Sequence, residues 1–179
     1  MLIKHEELLK SDIVGTVIDI ETIGEFERSR DSRRYKNLQT VIFGFLNSSQ
    51  LRILCAEGKE SVSELFVEIR KIIDILDRPF YGFNNEFERA VLFYNLDLQL
   101  DFEGELQKRD FEKKVDAVRE LKISNYDDPF FDNGFKCMQA WILGDYTKSV
   151  AHNRACLLKE RDILLKRGHR PSNRMEFLK

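Results

Sequence analysis

The segment Ile13–Ile20 reads IVGTVIDI, and it constrains this chain more than any other stretch. A nearly unbroken β-branched run suits a strand buried on both faces, at the centre of a sheet covered by helices. The run closes on Asp19-Ile20-Glu21-Thr22. Residues two apart in a strand point the same way, so both carboxylates share one face. Anions held together at the end of a buried strand repel each other and lose hydration unless a cation or a proton compensates. A hard divalent cation with oxygen ligands is the natural compensation. The alternative is a strand that has already left the core, with both side chains solvated or paired with arginine.

The other periodicities fit around that strand. Val41–Leu46 and Leu51–Cys55 read as two strands joined by Asn47, Ser48, Ser49 and Gln50, a hairpin signature. Ser61–Leu76 places Val62, Leu65, Phe66, Ile69, Ile72 and Ile73 at helical spacing. Phe80–Phe83 reads as a strand and Glu86–Tyr94 as a helix. Leu98–Leu106 alternates like a further strand, Phe111–Leu121 reads as helix, and Asn125–Phe135 as loop. Lys136–Leu143 and Thr147–Lys166 read as the last helices, with Gly168 as a stop, and Met1–Lys10 as a short helix. With 179 residues, 42% of them hydrophobic, and no linker or repeat, one domain over residues 1–170 is expected, followed by a loosely held tail at 171–179. The order predicts an α/β fold with a mixed sheet flanked by helices. No glycine-rich loop follows the first strong strand, which counts against P-loop and Rossmann nucleotide sites.

Charge and cysteine content narrow the class. No apolar run approaches the ~20 residues that cross a bilayer, and Met1–Lys10 is charged where a signal peptide would be apolar. Cys55, Cys137 and Cys156 are odd in number and lie in regular segments, so a cytoplasmic protein without disulfides is expected, not a membrane one. A net charge of −2 argues against non-specific coating of nucleic acid. One basic loop, carrying Arg28, Arg30, Arg33, Arg34 and Lys36, either contacts phosphates or is simply solvated.

Asp19-Ile20-Glu21-Thr22 resembles the first motif of the DEDD-type 3′-to-5′ exonuclease superfamily, which has a ribonuclease H-like fold. Gly82-Phe83-Asn84-Asn85-Glu86-Phe87-Glu88 resembles its second motif, with Glu88 where aspartate is usual. The resemblance implies that Asn84 caps the following helix and meets substrate. The third motif pairs a Tyr or His with an Asp four residues on; here His152 is followed by Cys156. A neutral thiol suits Mg²⁺ poorly. Glu160, a further turn along the same helical face, or Asp128 or Asp132 from the preceding loop, could supply the missing oxygen. His152 then either handles the attacking water or is structural, and with Cys156 it is also half of a zinc motif that no second Cys or His pair completes.

The resemblance implies a Mg²⁺- or Mn²⁺-dependent exonuclease acting on the 3′ end of single-stranded DNA or RNA. Asp19 would bridge two ions about 4 Å apart, with Glu21 and Glu88 holding one each, and His152 and Glu160 would complete the catalytic set. The competing expectation is a fold relative that binds nucleic acid or a protein partner without hydrolysis. Phe130, Phe131 and Phe135 either stack on bases or pin their loop to the core.

Overall fold

The computed structural model describes residues 1–178; Lys179, the end of the expected tail, lies outside the described residues. The β-branched run becomes strand β2 (Thr16–Ile23), in which only Thr22 is not buried. The strand starts at Thr16 and not at Ile13, because Gly15 turns the chain with φ +89° against the backbone of Pro79, where no Cβ would fit.

A mixed seven-stranded sheet forms around it in the order β1 (Leu2–Leu8), β4 (Gln50–Ala56), β3 (Gln39–Leu46), β2, β5 (Phe80–Gly82), β6 (Gly104–Glu105) and β7 (Arg170–Pro171). Strands β1 to β4 pair antiparallel, β2, β5 and β6 run parallel, and β7 closes the edge antiparallel. The expected hairpin is β3–β4, and Asn47 fixes its turn by accepting the backbone N–H of Ser49 and Gln50 on Oδ1.

Helices cover the sheet on both faces, so β2 and β3 stay buried through almost their whole lengths. They are α1 (Val62–Ile73), α2 (Asn85–Leu96), α3 (Lys114–Glu120), α4 (Gly134–Ile142) and α5 (Tyr146–Arg167). Gly168 ends α5 with φ +73°, as its sequence position implied.

Two expectations are corrected. Met1–Lys10 is not a helix: Leu2–Leu8 is the edge strand β1, alternately exposed, whose charged residues hide the period of two. Leu98–Leu106 is not a full strand: only Gly104 and Glu105 pair, while Leu100 and Phe102 anchor an irregular segment in the core. The tail lies along α2. Asn85 donates to Ser172, Arg89 to the carbonyl of Asn173 and Tyr94 to that of Leu178, and the Phe177 ring stacks on Phe93 at 4.7 Å.

Two features of the sheet set up the site. The β2–β3 register shifts between Glu21 and Thr22, a bulge of the kind that re-aims side chains. Gly44 sits opposite Asp19 on β3, and a Cβ there would lie 2.1 Å from Asn153 Oδ1 and 2.8 Å from Leu157 Cδ1. The missing side chain is what lets α5 lie close against the sheet. Gly44→Ala is therefore expected to cost about 1–3 kcal/mol by overpacking and to push Asn153 off Asp19; an unchanged denaturation midpoint would show that α5 yields without cost.

Candidate metal centre

Strand β2 delivers Asp19 and Glu21, α2 delivers Glu88 from its first turn, and α5 delivers His152, Cys156 and Glu160; all six are buried. Asp19, Glu21, Glu88, His152 and Cys156 line a cleft of about 570 Å³ whose walls include Phe26, Leu38, Phe83, Phe87, Phe135 and Met138. Asn84 is on the same rim. It holds the N-cap position of α2 but makes no side-chain cap, correcting that expectation: its carbonyl, not its amide group, accepts the Phe87 N–H.

The centre has two halves. In the first, Asp19 accepts Asn153 Nδ2 at 2.7 Å and Lys114 Nζ at 3.0 Å. The same ammonium lies 2.5 Å from Glu160 Oε1, without hydrogen-bond direction. Both Glu160 oxygens and Glu88 Oε2 are buried and lack a hydrogen-bond partner. Burial, followed for Glu88 by the neighbouring Glu160 and Asp19, pushes its carboxyl well above the ordinary range. Burial raises Glu160 too, although Lys114 opposes the rise. Burial works against the charge on Lys114, but Asp19, Cys156 and Glu160 carry its ammonium upward.

In the second half, His152 Nδ1 meets Asp128 Oδ1 at 2.7 Å, leaving Nε2 3.5 Å from Glu21 Oε1 and 3.8 Å from Cys156 Sγ. Burial lifts Glu21 to about 7 and Cys156 to about 11, so at neutral pH Cys156 is a thiol. Burial disfavours the charged imidazole, yet its anionic surroundings push His152 up to about 12. The groups that raise it are Cys156, Glu21 and Asp128. Behind them Lys159, fully buried, donates to Asp128 and Asp132 at 2.8 Å each.

The sequence-derived candidates thus sort into groups. Asp19, Glu21, Glu88, His152 and Glu160 converge, and Glu160, not Asp128 or Asp132, brings the further oxygen to Asp19. Arg28, Arg30, Arg33 and Arg34 are exposed on the β2–β3 connection, where Arg33 is tied to Asp31 and Arg34 lies over the Phe26 and Tyr35 rings. Of the aromatic loop, Phe130 packs on His152 with ring centroids 5.5 Å apart, Phe135 lines the cleft and Phe131 is exposed. Lys114 and Asn153 had no sequence signal, since nothing local says that a lysine in a seven-residue helix points into a carboxylate cluster. The Cys55, Cys137 and Cys156 thiols are all free and buried. No helix among the described residues is long and apolar enough to cross a membrane.

Comparison with known protein families, curated proteins and solved structures finds no match for this chain. Architecture and site together define an α/β protein with a mixed sheet and a buried, metal-competent polar centre: the Glu21, His152 and Cys156 ligand atoms lie within 4.8 Å of one another.

Proposed function

We propose that the protein is a divalent-metal-dependent nuclease of ribonuclease H-like fold, acting in the cytoplasm on the 3′ end of single-stranded DNA or RNA. The observation that carries this reading is the convergence of buried Asp19, Glu21 and Glu88 at an aromatic-walled cleft, with Glu160 buried behind it on Lys114. The placement of the motifs supports it. The carboxylate pair closes a central strand, Glu88 opens the helix after a parallel neighbour, and His152 and Glu160 share the long late helix.

The residues fit a hard cation on one side. Glu88 feels the buried charges of Glu160 and Asp19, and these three carboxylates are oxygens of the kind a hard cation takes, with Lys114 Nζ now standing against Asp19 and Glu160. Glu21 stands with His152 and Cys156, so the second all-oxygen position implied by the resemblance is absent on that side. Held by Asp19, Glu88 and Glu160, a Mg²⁺ or Mn²⁺ ion would supply water activation and charge neutralisation at the leaving oxygen.

The chain's own residues do the rest. Phe26, Phe87 and Phe135 line the cleft and are rings on which a base could stack, an interaction tolerant of sequence. Arg34 beside Phe26, with the exposed Arg28 and Arg30 on the same connection, would extend the path along the phosphate backbone. Asp128 fixes the ring of His152 and keeps a proton on Nδ1, so Nε2 is the nitrogen that can exchange a proton with a group in the cleft.

A second reading, binding of nucleic acid without hydrolysis, is favoured by one contact: Lys114 Nζ stands at Asp19 and Glu160, where the ion would be. Release of mononucleotides from a 3′-labelled single strand in Mg²⁺ or Mn²⁺ separates the two. The parent is expected to release them, and Asp19→Asn or Glu160→Gln to slow release by about a hundredfold or more, the scale of losing one electrostatic contact in a water-poor site. No release by the parent in either metal would leave the binding reading.

A further inference from the structure

The half of the centre built on Glu21 has a chemistry of its own. It brings together a carboxylate, an imidazole and a thiol from β2 and α5, all buried and all opening on the cleft. Hard cations avoid sulfur, whereas Zn²⁺ takes Cys, His and Glu together. His152 and Cys156 are one helical turn apart on α5, so they present Nε2 and Sγ side by side at 3.8 Å. Glu21 Oε1 lies 3.5 Å from the same nitrogen. Bond lengths of about 2.0–2.3 Å at tetrahedral angles put zinc ligands about 3.3–3.8 Å apart. The two separations from His152 Nε2, 3.5 and 3.8 Å, lie in that range, and the third, Glu21 to Cys156, is within 4.8 Å.

An independent observation comes from behind the ligands. Zinc-bound histidine usually passes its other ring N–H to a carboxylate, which fixes the tautomer and aims the lone pair. Asp128 receives His152 Nδ1 at 2.7 Å and is itself fixed by Lys159 and by the backbone N–H groups of Phe130 and Asp132. The imidazole is therefore braced with Nε2 directed at Glu21 and Cys156 before any ion arrives.

We propose that Glu21, His152 and Cys156 bind one Zn²⁺ ion, with Asp128 as the orienting carboxylate and a fourth coordination position open to the cleft. Three protein ligands and one exchangeable position is the arrangement of a zinc ion that meets substrate or water. The open position suits an anionic oxygen. Loading releases the Cys156 thiol proton and any proton on His152 Nε2 or on Glu21 to solvent, leaving thiolate, neutral imidazole and carboxylate around the ion. Zinc with these ligands is electroneutral, which suits a buried place. The site stands whether or not the cleft hydrolyses a phosphodiester, and it uses none of Asp19, Glu88 and Glu160.

The experiment uses the full chain, stripped with a chelator and titrated with the metal alone. One equivalent of Zn²⁺ is expected to bind and to survive a large excess of Mg²⁺. The Co²⁺-substituted protein is expected to show a thiolate-to-cobalt charge-transfer band and the intense visible absorption of a tetrahedral ion. Cys156→Ser removes the band, Cys55→Ser retains it, and Asp128→Asn weakens Zn²⁺ binding by about 10–100-fold. The rival explanation is an imidazolium that merely bridges Glu21 and Asp128; it predicts no zinc and no band. The parent spectrum decides even if a variant fails to fold, because a cobalt form without the thiolate band overturns the site. A band that survives Cys156→Ser places the metal elsewhere and overturns it equally.

Discussion

Lys159→Met is expected to lower the free energy of unfolding by about 3–5 kcal/mol, the range for removing one partner of a buried ion pair. Lys159 has no accessible surface, and its ammonium donates to both Asp128 and Asp132. Methionine fills most of the volume but leaves the two carboxylates without their cation. The cost of a buried unpaired charge then dominates, since packing is nearly conserved. Asp128 would also lose part of what holds it ionised: burial opposes its charge, and His152 and Lys159 together keep its carboxyl well below the usual range. A denaturant midpoint within error of the parent would show that Asp128 and Asp132 find other partners. A double change with Asp128→Asn should cost less than the sum of the singles, because the pair acts as one unit.

The second large effect is at Lys114. Its side chain is 17% exposed, and its ammonium is the cation closest to Asp19 and Glu160. Lys114→Met removes that charge from a cluster that already holds Glu88, so the metal-free variant is expected to lose about 1–3 kcal/mol, less than at Lys159 because water reaches part of the site. Mn²⁺ should then restore stability, by about 2.7 kcal/mol at a hundred times its dissociation constant. The variant should bind the ion more tightly than the parent, because ion and ammonium compete for Asp19 and Glu160. Melting temperatures with and without Mn²⁺ measure this directly. If Mn²⁺ moves neither protein, the carboxylates do not form a hard-ion site and the nuclease reading loses its chemistry; if it moves both equally, Lys114 does not compete.

Much of the framework could be read locally. β2 was visible because a strand buried on both faces reads as a near-continuous apolar run, here a β-branched one, and α1 because one face meets the sheet and the other meets water. β1 was missed because an edge strand carries charge on its exposed face, and its alternation is then too weak to separate from a charged helix. α5 was visible as a helix but its role was not. Its buried face carries Ser149, His152, Asn153, Cys156, Lys159 and Glu160, and hydrophobic periodicity cannot find a buried face that is polar.

The sequence alone determined that Asp19 and Glu21 share a face, since the period of a strand is two, and that His152, Cys156 and Glu160 share a helical side, since four residues make about one turn. Only the tertiary structure decided how these sets meet. The bare backbone of Gly44 lets α5 approach β2, so His152 and Cys156 meet Glu21 while Glu160, one turn further on, meets Lys114 beside Asp19. Likewise, only packing could bring Asp128 and Lys159 together behind His152. Periodicity fixes which residues of one element point together; the partners they find across the chain depend on how closely the elements pack, and no local pattern encodes that distance.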